Sequence, residues 1–115
     1  MTDHTNRIRF ASSKNSPVRC YAVSANLTVE MMDTVVYRLD QPLPAHREVY
    51  ADTVRAAEKL QKLGGITHLI VRQKELFVLL ADGASWDSIH EQVIAILTEE
   101  IFASRRVLLE DYCQH

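Results

Sequence analysis

Two cysteines, three glycines and three prolines are all this 115-residue chain carries of those types, and charge of neither sign dominates it. Each shortage excludes something. Cys20 and Cys113 lie too far apart in sequence to suggest a disulfide framework, so free thiols in a reducing compartment are the default expectation. There is no Gly-rich phosphate loop and no Gly-x-Ser-x-Gly elbow, which removes the common signatures of nucleotide binding and serine catalysis. A formal net charge of −2 and a pI near 6.2 leave no basic field to hold nucleic acid or anionic lipid. No stretch approaches the roughly 20 apolar residues needed to cross a bilayer. The opening Met1-Thr2-Asp3-His4-Thr5-Asn6 is polar, with no signal-peptide core, so a cytoplasmic location is expected.

What is present reads as one folded domain. Hydrophobic residues make up 47% of the chain and charged residues 24%, close to a globular average and far from a disordered composition. From about Ala45 to Phe102 the order is helix, Gly64-Gly65, strand, short polar turn, strand, Asp82-Gly83, helix. Each helix has one apolar face, and a sheet is the nearest surface to cover it. The expected fold class is therefore α+β: a two-layer sandwich, with an antiparallel sheet of four to five strands and two helices on one face (ββαββα).

The pattern along the chain supplies the elements. Ile8-Arg9-Phe10 alternates apolar and polar, and Val18 to Val23 resumes the alternation after the turn formers Ser12 to Pro17, which predicts an antiparallel hairpin across a long loop. Val18, Cys20 and Ala22 fall on one face, with Tyr21 and Val23 on the other. Leu27 to Met32 reads equally as extended chain or a short turn. Thr34 to Leu39, rich in β-branched and aromatic residues, predicts a short strand stopped by Pro42 and Pro44. The first helix is expected over about Ala45 to Leu63, on a stripe of Tyr50, Val54, Ala57, Leu60 and Leu63. Ile66 to Arg72 and Leu76 to Leu80 are the next strands, and the second is apolar on both faces, which suits a central position. Ser85 is the candidate N-cap of the second helix, whose stripe is Trp86, Ile89, Val93, Ile96, Leu97 and Ile101. That helix frays near Ala103-Ser104, and Arg105-Arg106 would complement its negative end. Residues Arg105 to His115 stay open among a strand, a helix extension and a docking segment.

Candidate chemistry is sparse. The five histidines, His4, His46, His68, His90 and His115, lie on separate elements with no close ligand spacing. Cys113 and His115 are two apart, and Cys20 is the other thiol. A structural zinc site normally takes four N or S ligands, so a metal site within one chain is the lesser reading. Glu99-Glu100 and Glu110-Asp111 read as solvated charge. Trp86, in the first turn of its helix, reads chiefly as a plug between helix and sheet, and secondarily as an interface residue. The loop Ser12 to Pro17, with Lys14 and Asn15, is longer than its hairpin needs, which marks it as a candidate contact.

Ile8 to Ser24 and Ala57 to Leu97 together resemble the amino-terminal domain of Nfu/NifU-type iron–sulfur scaffold proteins, also called HIRA-interacting-protein-5-like. Lys59-Leu60-x-x-Leu63-x-Gly65-Ile66 is similar to that family's helix end and entry into the strand. Leu76-Phe77-Val78 with Ala84-Ser85-Trp86 is similar to its Phe-Ile-x-Val strand and Ala-x-Trp helix start. Where the family has a Thr-Pro-Asn-Pro loop, this chain has Ser13-Lys14-Asn15-Ser16, keeping the Asn alone. The resemblance covers about two thirds of the chain. It implies a non-enzymatic protein-interaction domain, accessory to iron–sulfur cluster assembly, with Asn15, Lys14 and Trp86 as contacts and an assembly component as partner. The Cys-x-x-Cys motif that holds the cluster in a separate domain of full-length members is absent here, so no cofactor is expected. The alternative is a metal- or cluster-binding homodimer through Cys20, Cys113 and His115.

Overall fold

The computed structural model describes residues 5–13 and 15–112. The order of elements is β1 (Arg7–Phe10), β2 (Val18–Val23), β3 (Val35–Arg38), α1 (Ala51–Leu63), β4 (Ile66–Val71), β5 (Glu75–Leu80), α2 (Trp86–Glu100) and β6 (Leu108–Asp111). The strands form one six-stranded sheet in the order β3-β4-β5-β2-β1-β6. The fold is thus mixed α+β, and its sheet exceeds the expected four to five strands because Leu108–Asp111 joins it. It is also not wholly antiparallel. β6 runs parallel to β1, with Arg7 opposite Leu108 and Phe10 opposite Asp111, whereas every other pairing is antiparallel.

Alternation explains the strands. Ile8 and Phe10, Tyr21 and Val23, Val35 and Tyr37, Leu69 and Val71, and Leu76 and Val78 are buried, while their neighbours face outward. From α1 come Ala57 and Leu60, and from α2 come Trp86, Ile89, Val93 and Leu97, all in the same core as those strand residues. Leu60 and Leu97 approach Leu69, Val71 and Leu76 around a small interior gap, so both helices meet one set of sheet residues. Across the outer surface Arg55 pairs with Glu100 at 3.0 Å, and Lys59 pairs with both Glu99 and Glu100, tying α1 to α2. Among the described residues no helix is long and apolar enough to cross a membrane.

Three local expectations need correction. The first helix begins at Ala51, not Ala45, because the preceding residues pair elsewhere. Val29 N–H donates to Glu48 O at 2.7 Å, Thr28 bridges Val49, and Tyr50 N–H donates to Leu27 O. Its buried face is accordingly Thr53, Ala56, Ala57 and Leu60, while Tyr50 stands 42% exposed. At the end of α2, Arg105-Arg106 do not sit in the last turn, which has no basic residue. Ala103 and Ser104, at φ 52° and 62°, turn the chain away, and Ser104 N–H donates to Thr98 O at 2.9 Å. The tail then returns along β1, with Leu108 N–H donating to Asn6 O at 2.8 Å.

Gly64 and Gly65 link α1 to β4 at φ 76° and 81°, where a side chain is strained. A Cβ on Gly64 would meet open space, but one on Gly65 would lie 2.9 Å from Ile89 Cδ1 in the core. Gly64→Ala should therefore cost about 1–2 kcal/mol through backbone strain, and Gly65→Ala roughly 1–3 kcal/mol more through overpacking. Urea denaturation of the two variants should give that order. Equal midpoints would contradict the close α2 approach.

Candidate functional site

Four hydrogen bonds, from β6, β2 and α2, hold the loop between β1 and β2. Ser12 N–H donates to Asp111 Oδ1 at 3.1 Å, which ties the loop to β6. Arg19 Nη2 donates to Ser13 O at 2.9 Å. Trp86 Nε1–H donates to Ser16 O at 2.8 Å, and Val18 N–H donates to Ser16 Oγ at 3.1 Å. Asn15 is exposed on this braced loop. Beside it opens a cleft of about 340 Å³ between the loop and the β5–α2 connection, lined by Asn15, Pro17, Asp82, Ser85 and Trp86 among others.

Trp86 is 5% exposed. What the site gains from it is the brace on Ser16, and its indole is a floor more than a contact surface. Ser85 caps α2 as its residue type predicts, accepting from Asp87 N–H at 3.1 Å. Lys14 lies outside the described residues, as do Cys113 and His115.

Beneath the loop sits a polar cluster that the sequence reading missed. Arg19 is 5% exposed, and its guanidinium carbon stands 4.5 Å from the centre of the Trp86 ring. Its Nε has no hydrogen-bond partner, and among the described residues no carboxylate pairs with it. Tyr21 Oη lies 2.9 Å from His90 Nδ1, the two rings stack at 5.7 Å, and Phe10 packs 4.4 Å from His90. Burial lowers the His90 pKa, and the Arg19 charge lowers it further against the pull of Asp111 and Glu91. Burial raises the Tyr21 phenol, partly offset by Arg19. Both shifts keep the pair neutral, so Tyr21 holds its proton and is suited to donate to His90. The available signal was parity: alternation along β2 sets Arg19 on the same strand face as Tyr21 and Val23.

Cys20 lies on the opposite sheet face, away from this cluster, and is half-buried. Its Sγ is 3.7 Å from Glu75 Oε2. Burial first, and the Glu75 charge second, push the thiol up to about 11. A metal or cluster would need the thiolate, which this environment disfavours. Among the described residues no group of three or more His, Cys, Asp or Glu side chains could hold a metal ion.

No protein-family model and no curated protein sequence matches the chain. Among solved structures, the X-ray crystal structure of protein SAV1430 from Staphylococcus aureus is similar in fold, with a TM-score of 0.56 at 14% identity, spanning 79% of this chain and 98% of that one. At that identity the likeness describes the fold alone.

Two outcomes test the site. Trp86→Phe removes the bond to Ser16 O and weakens the stack under Arg19, so it should destabilise the chain by about 1–3 kcal/mol and speed amide exchange in residues 12–17. Unchanged exchange there would show that the indole does not hold the loop. Cys20 should react with a thiol reagent at pH 8 about 100-fold more slowly than a free cysteine, followed by mass spectrometry of its peptide. The raised thiol pKa stabilises the fold at pH values below the ordinary value of 9.0 and loses that contribution as pH rises towards about 11.

Proposed function

We propose that the chain is a non-enzymatic protein-interaction domain, similar to the amino-terminal domain of Nfu/NifU-type scaffold proteins. In this reading it is a two-layer α+β sandwich with both helices on one face, and it serves cytoplasmic iron–sulfur cluster assembly as an accessory. The partner is a protein component of that assembly, not nucleic acid or membrane.

One observation carries the reading. A loop longer than its hairpin needs is braced by side chains from β2, α2 and β6, and it leaves Asn15 exposed at the mouth of an open cleft. A loop already held in one conformation loses little entropy when a partner docks, so its contacts count in full towards affinity. Asn15 can both donate and accept, a pairing suited to a backbone segment of the partner. Supporting this, the polar groups beneath the loop are buried and held neutral or stacked, so they serve its shape better than they would serve proton transfer.

The test is capture of purified iron–sulfur assembly components on the immobilised chain. At least one should bind, and Asn15→Ala should weaken that binding roughly tenfold or more. The variant's thermal midpoint should not change, because Asn15 is exposed. Failure of every component to bind would remove the assembly role; binding indifferent to Asn15→Ala would remove the loop as its site.

A further inference from the structure

The sheet ends in bare backbone at β6. Leu108 N–H donates to Asn6 O and Tyr112 N–H to Phe10 O, so the even-numbered residues here turn their backbone groups toward β1. Val107 and Leu109 turn theirs the other way, where among the described residues no further strand lies. Leu108 is 46% exposed and Leu109 47%. Sheet edges are normally blunted by charge, proline, a bulge or a covering loop, since a bare edge is a template for another strand. The middle of this edge is two exposed leucines.

The sequence along the edge identifies the occupant. Arg105-Arg106-Val107-Leu108-Leu109-Glu110-Asp111 is basic at its start, apolar in its middle and acidic at its end. Laid antiparallel against a second copy about Leu108, it is its own complement: Leu108 meets Leu108, Val107 meets Leu109, and Arg106 meets Glu110. The backbone agrees with this register. Val107 and Leu109, whose groups point outward, become the pair that exchanges two hydrogen bonds, and Arg106 with Glu110 becomes the closer, non-hydrogen-bonded pair. Centring the contact on Leu109 instead would set Leu108 against Glu110 and Val107 against Asp111, losing the charge match. The opposite edge, β3, has Arg38 as its one charged residue and no such pattern.

We propose that this chain forms a two-fold homodimer by pairing β6 antiparallel with β6 of a second copy, joining two six-stranded sheets into one. The axis stands perpendicular to the sheet at Leu108, which closes the contact as an isologous pair and keeps the helices of both copies on one side. On that side Leu109, opposite Ile8, and Val107, already packed on the core, meet their counterparts and carry the core across the junction. On the other side Leu108 packs on Leu108 between two Arg106–Glu110 pairs. Arg9 at 2.8 Å and Arg7 at 3.4 Å hold the Glu110 carboxylate before the second copy arrives, so little side-chain freedom is lost on pairing. Five residues at about 3.4 Å each make a paired segment only about 17 Å long. An interface below roughly 1,200 Å² is a weak one, so the dimer forms in proportion to concentration. The inference rests on this edge and not on the role proposed for the Asn15 loop.

Sedimentation velocity between about 10 and 500 µM should show the mass rising from 13.1 kDa towards twice that value. Leu108→Cys and Leu109→Cys, each in a chain also carrying Cys20→Ser and Cys113→Ser, read the register. Facing residues of a non-hydrogen-bonded pair have Cα atoms about 4.5 Å apart, which suits a disulfide, whereas the two copies of residue 109 face each other only diagonally. Mild oxidation should therefore cross-link the Leu108→Cys chain about tenfold faster or more, although the two positions are equally exposed in the single chain. Leu109→Pro removes an outward N–H, so circular dichroism should show the fold kept while the dimer is lost. Arg106→Glu, at an exposed position, sets like charges opposite and should raise the dissociation constant roughly tenfold; it carries the test should the proline variant not fold. A monomer throughout the range would overturn the proposal, as would equal cross-linking at the two positions or a dimer indifferent to Arg106→Glu. Asn15→Ala should leave the dimer intact, which separates this result from the fate of the loop reading.

Discussion

The pairing of β2 with β5 is the interaction on which the rest of the molecule depends. Five residue pairs, from Val18 opposite Leu79 to Ala22 opposite Glu75, join the amino-terminal hairpin to the helix–hairpin–helix block. Without it β3, β4 and β5 form one small sheet and β1, β2 and β6 another, each with one more open edge. Its contacts span more than fifty residues of chain, so loop-closure entropy opposes the pairing until much of the core has formed. The same pairing also builds the candidate site. Leu80 N–H donates to Pro17 O at 2.8 Å, which sets the end of the long loop beside the start of α2. Trp86 then lies within reach of Ser16. The brace on the loop is a consequence of register, and a slip by one residue would place Arg19 outside and Cys20 within.

Arg19 shows what that register imposes. A buried guanidinium without a carboxylate is normally costly, since nothing replaces the water it has lost. Here the Trp86 ring takes one face, Ser13 O accepts from Nη2, and the Tyr21 oxygen lies close enough to feel the charge. The positive charge in turn disfavours protonation of His90, so the stack of Phe10, Tyr21 and His90 remains neutral and close-packed. Removing the cation would therefore do more than delete one hydrogen bond. It would unseat the loop, uncover the indole and leave His90 freer to take up a proton, all within one small region between sheet and helix.

Much of this architecture was legible from local pattern. Ser85 before the Trp86 stripe, the apolar run at Leu76–Leu80 and the Gly64-Gly65 stop each state their structure within a few residues, because capping, alternation and left-handed backbone are short-range effects. The edges of the sheet were not. β6 is set by pairing with β1 about one hundred residues away, and Leu108 and Leu109 remain exposed, so no burial periodicity announces it. The segment before α1 misled for a related reason: Tyr50 continues the helical spacing, yet its amide is committed to Leu27 O. In the site, Trp86 as a seam residue was legible. Its hydrogen bond to Ser16 and its stack on Arg19 were not, since both partners lie about seventy residues earlier.

The asymmetry of the sheet assigns its two faces different physics. One face carries Tyr21, Tyr37 and Leu69 and excludes water from them completely. Burial there is the main source of stability, and small changes in volume are felt directly. The opposite face carries Val36, Ile70 and Phe77, β-branched and aromatic residues that suit a pleated surface and are exposed or half-buried there. Its charges alternate along one row instead of clustering. That alternation contributes little to folding, because exposed pairs are screened.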